Sequence, residues 1–266
     1  MCYYNGVKVE RSEFIRLKQL EKAIAKLDFL NKPLMIGFEY GQAPVLKRVA
    51  GKEDFEVTQM EWGFLPPYLK NRESVDKFRN GYKDASGKFH TPITTLNAVG
   101  EEMLLPGKMY RDAALHRRCL VLSSGFYEWR HVHPIGKLGK PLKTTVKYPY
   151  HIVLPEKEIF FMAGIWQPWT DKETGETVDT FAIVTTAANK LMQQIHNSKM
   201  RMPVILSEEL AWEWLFGELS EEEITRIATS QFDTTQMYAN TIAKDFRTMA
   251  DPATPFEYPE LTPVEM

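Results

Sequence analysis

The cysteine at position 2 is the residue whose place in the chain could by itself support a reaction. If Met1 is removed, as is normal before a small residue, Cys2 carries a free amine and a thiol on adjacent carbons. The ordinary pKa values of the two groups lie at about 8 and about 8.5, so both have a reactive fraction near neutral pH. The amine can condense with an aldehyde to an imine, and the thiol can then close a five-membered thiazolidine. A chance Met-Cys start is the alternative interpretation.

Glu128 lies between aromatic residues in a segment that is predicted to be a strand. Alternation along a strand places Phe126 and Glu128 on one face and Tyr127 and Trp129 on the other. An apolar neighbour would raise the pKa of the carboxyl group and suit it to proton transfer. A solvated edge-strand glutamate, or one in a structural ion pair, is the alternative.

His196 and Asn97 are the other polar candidates. His196 follows a predicted helix and titrates near neutral pH, so it could donate or accept a proton. Asn97 precedes a region predicted as short helices, where a helix N-cap is the simpler interpretation. His131 and His133 have no ligand spacing with the cysteines, so we expect no metal site and no cofactor.

The charge is balanced overall and uneven locally. Lys+Arg is 33 and Asp+Glu is 35, which gives a net charge of −2 and excludes a polycation. The segment 130–155 contains no acidic residue and carries Arg130, the lysines at 137, 140, 143 and 147, and three histidines. This segment could bind along the phosphate backbone of a nucleic acid, or it could be a solvated hairpin. Trp62 and Pro66, in an aromatic and proline-rich turn, could pack in the core or wedge between bases.

The strand-like and helical segments that must position these residues form separate blocks along the chain. This arrangement predicts an α+β fold. We expect one domain over 1–250 and a proline-rich tail over 251–266 that trails along the surface. Residues 66–95 read as a long irregular loop. Strand-like segments lie at 34–38, 45–49, 55–64, 120–122, 126–130, 144–154, 159–166 and 179–186, and helical patterns at 12–27, 98–117, 188–195, 207–216 and 220–229. The sparse cysteines, Cys2 and Cys119, and the absence of a long apolar run predict a cytoplasmic protein.

The motifs together resemble the SRAP family (SOS response-associated peptidases). The segments that carry the resemblance occur in the family's order: Cys2, Trp62-Gly63-x-x-Pro66, Asn97-Ala98, Arg117 to Val121, Gly125 to Trp129, Met162 to Trp166, Phe181 to Asn189, and His196 with Arg201 to Leu206. The resemblance runs from residue 2 to about residue 216.

The resemblance implies a β-rich α+β fold with a pseudo-barrel core, and a role in DNA repair. Family members bind abasic sites in single-stranded DNA, and the N-terminal cysteine forms a thiazolidine crosslink with the ring-opened sugar after autocatalytic removal of the initiator methionine. Carried over, Cys2 is the nucleophile, Asn97 holds the sugar or phosphate, Glu128 positions or deprotonates the amine, and His196 is the general acid and base. The implied DNA-binding residues are Trp62, Pro66, Arg117, Arg118, Arg130, Lys199 and Arg201. We expect a monomer, associated with the nucleoid when bound to DNA and not with a membrane.

The chain departs from the family pattern where phosphate contacts are usual. Tyr3 and Tyr4 replace the usual Gly-Arg after the cysteine, and Val99 replaces the arginine after Asn-Ala. Gly41-Gln42-Ala43-Pro44 stands for an Asn-x-Ala-Pro segment. The usual His-x-Arg-Met-Pro is stretched by residues 197–200. Lys199, Arg201 and the lysines of 137–147 are candidates to compensate.

Two other functions compete with abasic-site crosslinking. A hydrolase acting on peptides in trans would use Cys2 and His196 as a thiol–base pair. A non-covalent single-stranded DNA-binding module would use the basic segment and the Trp62 turn, and would bind intact and abasic strands equally.

Overall fold

The computed structural model describes residues 2–136 and 139–265. Met1, whose removal the sequence analysis invokes, and Lys137, one of the lysines of the basic segment, lie outside the described residues.

Strands dominate the fold. They are β1 (Tyr4–Lys8), β2 (Phe14–Leu17), β3 (Leu20–Ala23), β4 (Asn31–Ile36), β5 (Gln42–Arg48), β6 (Phe55–Trp62), β7 (Tyr82–Lys83), β8 (Phe89–His90), β9 (Asn97–Val99), β10 (Arg118–Ser123), β11 (Gly125–Val132), β12 (Val146–Val153), β13 (Phe160–Thr170), β14 (Thr177–Ala187), β15 (Arg201–Pro203), β16 (Ile205–Leu206) and β17 (Tyr238–Thr241). The α-helices are α1 (Arg72–Asn80), α2 (Arg111–His116), α3 (Lys190–Ile195), α4 (Glu208–Phe216) and α5 (Glu221–Ala228).

Two sheets enclose one core, which confirms the predicted β-rich α+β fold. The smaller sheet has the strand order β17-β12-β11-β1-β4, and the larger has the order β15-β14-β6-β5-β10-β13-β16, with β9 beside β14. The side chain of Asn5 joins the sheets: its Nδ2 donates to the carbonyl of Leu122 at 2.9 Å, and its Oδ1 accepts from Ser123 Oγ at 2.7 Å. These contacts attach β1, the strand that follows Cys2, to the larger sheet.

The prediction of a helix over 12–27 is wrong. The segment forms the β2–β3 hairpin, in which Leu17 pairs with Leu20 and Lys18 has a φ of 51° in the turn. Ile15 and Leu17 face the core two residues apart, as a strand requires, whereas Phe14 is exposed. Several of the apolar positions fit both periods, and the tertiary packing selects the strand.

The segment 66–95 contains more regular structure than its composition predicts. Helix α1 begins with a capping box between Asn71 and Ser74, and a short hairpin of β7 and β8 follows. In the predicted helical region 98–117, the α-helix is α2 alone, and Asn97 lies in a strand instead of at a helix N-cap. Helix α5, in the predicted helical segment 220–229, begins with a capping box between Ser220 and Glu223.

The tail is attached along the surface of the smaller sheet. The amide of Phe256 donates to the carbonyl of Thr241 at 2.9 Å. Farther along, the amide of Glu265 donates to Gln194 Oε1 at 2.9 Å. The tail therefore runs from the edge strand β17 to helix α3. In the described residues, no helix is long and apolar enough to cross a membrane.

Arg118, at the start of β10, donates hydrogen bonds to carbonyls at the C-terminal ends of two helices. Its guanidinium donates to the carbonyls of Trp214 at 2.7 Å and Gly217 at 2.6 Å, at the end of α4. It also donates to Leu115 at 2.9 Å and Ala114 at 3.2 Å, in α2. Carbonyls in the last turn of a helix have no intrahelical partner, so this contact fixes both helices to the larger sheet.

We therefore expect Arg118→Ala to lower the free energy of unfolding by about 3 kcal/mol, because partly buried carbonyls lose a charged donor. Chemical denaturation measures the change. Arg11→Ala is the control, since the Arg11 side chain is 81% exposed, and its effect should stay within about 0.5 kcal/mol. Equal effects of the two substitutions would show that Arg118 does not hold the helices.

Candidate active site

Cys2 is held at the start of β1 and is fully buried. The next residue, Tyr3, accepts a hydrogen bond on its carbonyl from the amide of Gly37 at 2.8 Å. The Cys2 thiol donates to the carbonyl of Tyr4 at 3.7 Å. Burial, and after it the neighbouring Glu128 carboxylate, raise the pKa of the thiol well above its usual range. The resting thiol is therefore protonated at neutral pH.

Asn97 fixes the backbone of Cys2. It begins β9, which pairs in parallel with β14 opposite Ile183. Its Nδ2 donates to the carbonyl of Cys2 at 2.9 Å, an orientation that the accepting carbonyl dictates. Asn97 Oδ1 is buried and has no hydrogen-bond partner among the described residues. The amide thus anchors Cys2 with one atom and keeps an acceptor beside it.

Glu128 and His196 face each other from two elements. Glu128, in β11, is 3% exposed, and His196, just after α3, is 6% exposed. Glu128 Oε2 lies 3.8 Å from His196 Nε2. The Nδ1–H of His196 donates to the carbonyl of Arg201 at 2.7 Å. Because a carbonyl only accepts, the neutral imidazole carries its proton on Nδ1 and directs the Nε2 lone pair toward Glu128.

Burial sets the protonation states of this pair. It raises the pKa of Glu128 to about 7 and lowers the pKa of His196 to about 4. Near neutral pH the imidazole is therefore uncharged, while the carboxyl group is divided between its acid and its base form. An acid whose pKa lies at the working pH can both give and take a proton.

Arg201 supports the histidine through its backbone. Its guanidinium donates to both carboxylate oxygens of Glu101, at 2.9 Å and 2.7 Å, and to the carbonyl of Thr185 at 2.6 Å. Glu101 also accepts from the side chain of Thr186 at 3.1 Å. Because the Arg201 carbonyl is the acceptor for His196, this network orients the imidazole.

The structure brings together the four residues to which the sequence analysis assigned chemistry. Cys2 is hydrogen-bonded to Asn97 and lies within electrostatic reach of Glu128, which in turn faces His196. The face assignment along β11 is also confirmed. Tyr127 and Trp129 pack against Phe246 on the outer face, opposite Glu128.

The predicted DNA-binding residues occupy varied environments. Trp62 is 2% exposed and donates to the carbonyl of Leu96 at 2.9 Å, and Pro66 is also buried. Arg117 contacts Asp112 and Gln167, and Arg130 donates to the carbonyl of Thr262 at 2.5 Å. Arg118 and Arg201 have the contacts described above, and Lys199 is exposed on the loop after His196. A DNA contact by any of them stays a prediction.

Three residues around the site were not predicted from the sequence. Glu101 orients Arg201, the hydroxyl of Tyr110 donates to the carbonyl of Asn97 at 3.3 Å, and Asn197 bonds both backbone groups of His131. Each of these residues contacts either a backbone group or a side chain that supports the site. Contacts of this kind leave no motif in the sequence. The position of Glu101 shortly after Asn97 was the available signal.

Known proteins resemble this chain in sequence. The model of the family described as SOS response associated peptidase (SRAP) matches residues 25–248. The abasic site processing protein YoqW of Bacillus subtilis is 29% identical over 181 residues, which are 68% of this chain and 66% of that relative. The abasic site processing protein HMCES of Xenopus tropicalis is 25% identical over 216 residues, which span 74% of this chain and 55% of that relative. The chain thus spans less than two thirds of the length of these relatives.

The solved structures agree over nearly the whole chain. A crystal structure of a Bacteroides thetaiotaomicron protein has a TM-score of 0.69 and 28% identity, and the match covers 96% of this chain and 97% of that one. A Bordetella bronchiseptica protein at 16% identity and a TM-score of 0.61 shares the fold. Since the family model spans most of the sequence, including Asn97, Glu128 and His196, the chain belongs to the SRAP family.

Proposed function

We propose that this protein binds abasic sites in single-stranded DNA and joins them covalently to Cys2 as a thiazolidine, after autocatalytic removal of Met1. The relatives named as abasic site processing proteins support the substrate. The observation that carries the proposal is the position of Cys2, which is anchored by Asn97 beside the Glu128–His196 pair. A 1,2-aminothiol next to a carboxyl group of pKa about 7 is suited to react with an aldehyde.

The reaction consists of two additions and one loss of water. The neutral amine of Cys2 attacks the aldehyde carbon of the ring-opened sugar and gives a carbinolamine. A proton delivered to its hydroxyl lets water leave, and an imine forms. The thiol sulfur then adds to the imine carbon while the thiol proton passes to nitrogen, which closes the ring. The raised pKa of the thiol makes the amine the first nucleophile.

The site provides the proton transfers that these steps need. Protonated Glu128 supplies the acid for loss of water, and its carboxylate takes the proton that the attacking amine releases. Neutral His196, whose Nε2 faces Glu128, relays protons to and from that carboxyl group. The buried Oδ1 of Asn97 is an acceptor for a sugar hydroxyl. Reversal of the crosslink runs through the same groups in the opposite order.

Removal of Met1 uses the same cysteine. The Cys2 sulfur can attack the carbonyl carbon of Met1 in an N-to-S acyl shift, in which the C–N bond breaks and the thiol proton passes to the departing nitrogen. One water then hydrolyses the thioester. The products are free methionine and the amine that the crosslinking reaction requires. The peptidase activity is in this way a maturation step of the crosslinking protein.

The first prediction from the proposed mechanism concerns the thiol. Cys2→Ser, prepared with Met1 already removed by an added methionine aminopeptidase, keeps the amine and lacks the sulfur, so the variant should stop at the imine. We expect the wild type to give a heat-stable crosslink to abasic single-stranded DNA, and Cys2→Ser to give one only after borohydride reduction. Cys119→Ala, which changes the other buried cysteine, should crosslink as the wild type does. Denaturing gels and intact mass give the readout.

Two outcomes of that experiment support the competing functions. Equal affinity for intact and abasic strands, with no covalent product, would indicate a non-covalent binding module. Turnover of an unrelated peptide without DNA would indicate a peptidase acting in trans.

The second prediction concerns pH. The protonated fraction of Glu128 falls as the pH rises through about 7. The neutral fraction of the Cys2 amine increases as the pH approaches about 8. The crosslinking rate should therefore peak between these values and fall on both sides. Glu128→Gln should lower the maximum by about 100-fold or more and remove the alkaline fall, as measured by single-turnover rates across the pH range. A rate of the wild type that rises steadily with pH contradicts the role of Glu128.

The third prediction separates positioning from DNA contact at Arg201. Glu101→Gln removes the charged partner of Arg201, so we expect looser orientation of His196 and a crosslinking rate about ten-fold lower. Non-covalent affinity for intact single-stranded DNA should stay unchanged. Nitrogen NMR of His196 should show a larger share of the Nε2–H tautomer. If affinity changes and the tautomer does not, Arg201 acts on DNA instead of on the histidine.

A further inference from the structure

A groove separate from the Cys2 site lies between helix α1 and the β7–β8 hairpin. Its volume is about 640 Å³, within the range of about 300–1,000 Å³ that is usual for small-molecule sites. Lys77 and Phe78 form the helix side, and Tyr82, Phe89 and Ile93 form the hairpin side. We call it the hairpin groove.

The hairpin groove presents aromatic surface to solvent. The exposed fractions are 39% for Tyr82, 54% for Phe89 and 44% for Ile93. The Tyr82 ring lies parallel to the ring of His90, with centroids 4.6 Å apart and an interplanar angle of 7°. Beside this stack, the exposed parts of Tyr82 and Phe89 present aromatic surface to solvent. Large apolar side chains gathered at one exposed groove usually mark a binding surface.

The charges around the groove favour an anionic partner. Among the described residues, Lys70, Lys83 and Lys88 are exposed and form no ion pair. Lys77 is paired with Glu73 at 2.6 Å, and its ammonium lies 5.8 Å from the centre of the Tyr82 ring. Asp84, the acidic residue at the hairpin turn, is already hydrogen-bonded to Ser86 Oγ at 2.6 Å and to His90 Nε2 at 2.9 Å. Lysines around aromatic rings provide the two contacts that unpaired nucleic acid uses, to phosphates and to base faces.

A short backbone segment links the wall of the groove to the Cys2 site. The amide of Ile93 donates to the carbonyl of Phe78 at 2.8 Å, which joins the groove wall to α1. Four residues later the same segment reaches Asn97, the anchor of Cys2. A fully extended chain of that length spans at most about 14 Å. A strand whose abasic sugar lies at Cys2 therefore reaches the groove within a few nucleotides.

We propose that the hairpin groove binds an unpaired base of the same DNA strand, with the base stacked on Tyr82 and Phe89 and the flanking phosphates held by Lys83 and Lys88. This inference rests on the proposed function, because it uses single-stranded DNA as the occupant. The groove adds sequence-independent affinity to a site whose selectivity comes from the sugar aldehyde. It also gives the hairpin, which carries none of the proposed chemistry, a role in binding.

The test measures affinity without the covalent step. Fluorescence anisotropy with a labelled oligothymidylate that lacks an abasic site gives Kd as a function of salt. We expect Tyr82→Ala with Phe89→Ala to weaken binding about ten-fold or more, because one stacked base is lost. Lys83→Gln with Lys88→Gln should reduce the slope of log affinity against log salt by about 0.7 for each lysine. Phe14→Ala and Lys26→Gln, exposed residues outside the groove, are the matched controls and should change neither quantity.

A second measurement locates the base. Photo-crosslinking from 5-iodouracil placed on either side of an abasic site, followed by peptide mass spectrometry, should label Tyr82 or Phe89. Unchanged affinity and salt slope in the hairpin variants, or labelling confined to other segments, would overturn the inference. Covalent joining to Cys2 at saturating DNA is scored separately. If the wild type gives none, the proposed function fails, whereas an intact covalent step with unaffected hairpin variants rejects the groove alone.

Discussion

The amino-terminal strand is held on both sides, and the candidate site depends on that constraint. β1 lies between β4 and β11, and Asn5 attaches it to the larger sheet as well. Chain termini usually fray, because few contacts hold their backbone. Here Cys2, the terminus that the proposed maturation creates, has its carbonyl fixed by Asn97. Holding a reactive group in place contributes to catalysis by reducing the entropy lost on reaching the transition state.

The second constraint is the enclosure of β11 on both faces. Tyr127 and Trp129 are covered by Phe246 on the outside, and Glu128 is enclosed on the inside with His196. Removing a carboxylate from water raises its pKa, and removing an imidazolium lowers its pKa, so the buried pair avoids forming two charges. The fold thus keeps one exchangeable proton and a neutral acceptor at the site. A solvent-exposed pair of the same residues would be an ion pair at mildly acidic pH and would lack this property.

The sequence singled out residues that the structure brings together, but it did not predict the contacts between them. Strand alternation places Glu128 correctly, because a period of two is a local property of the backbone. The contact between Asn97 and Cys2 joins residues far apart in the chain, and a local rule predicts an N-cap there. The β2–β3 hairpin was mistaken for a helix because its apolar spacing fits both periods, and Lys18, which adopts the left-handed turn conformation, gives no sequence signal of it.

The arginines show why residue type alone does not predict a phosphate contact. Arg118 is engaged by helix carbonyls and Arg201 by Glu101, so both guanidiniums have partners within the protein. Exposed lysines lie instead on the loop after His196, in the segment 140–147 and on the β7–β8 hairpin. A lysine attracts phosphate as a point charge, without the paired hydrogen bonds that an arginine forms. Under the proposed function, the lysines would supply affinity that depends on salt and not on sequence. Selection of the lesion would then rest on the aldehyde, the one group that an intact strand lacks.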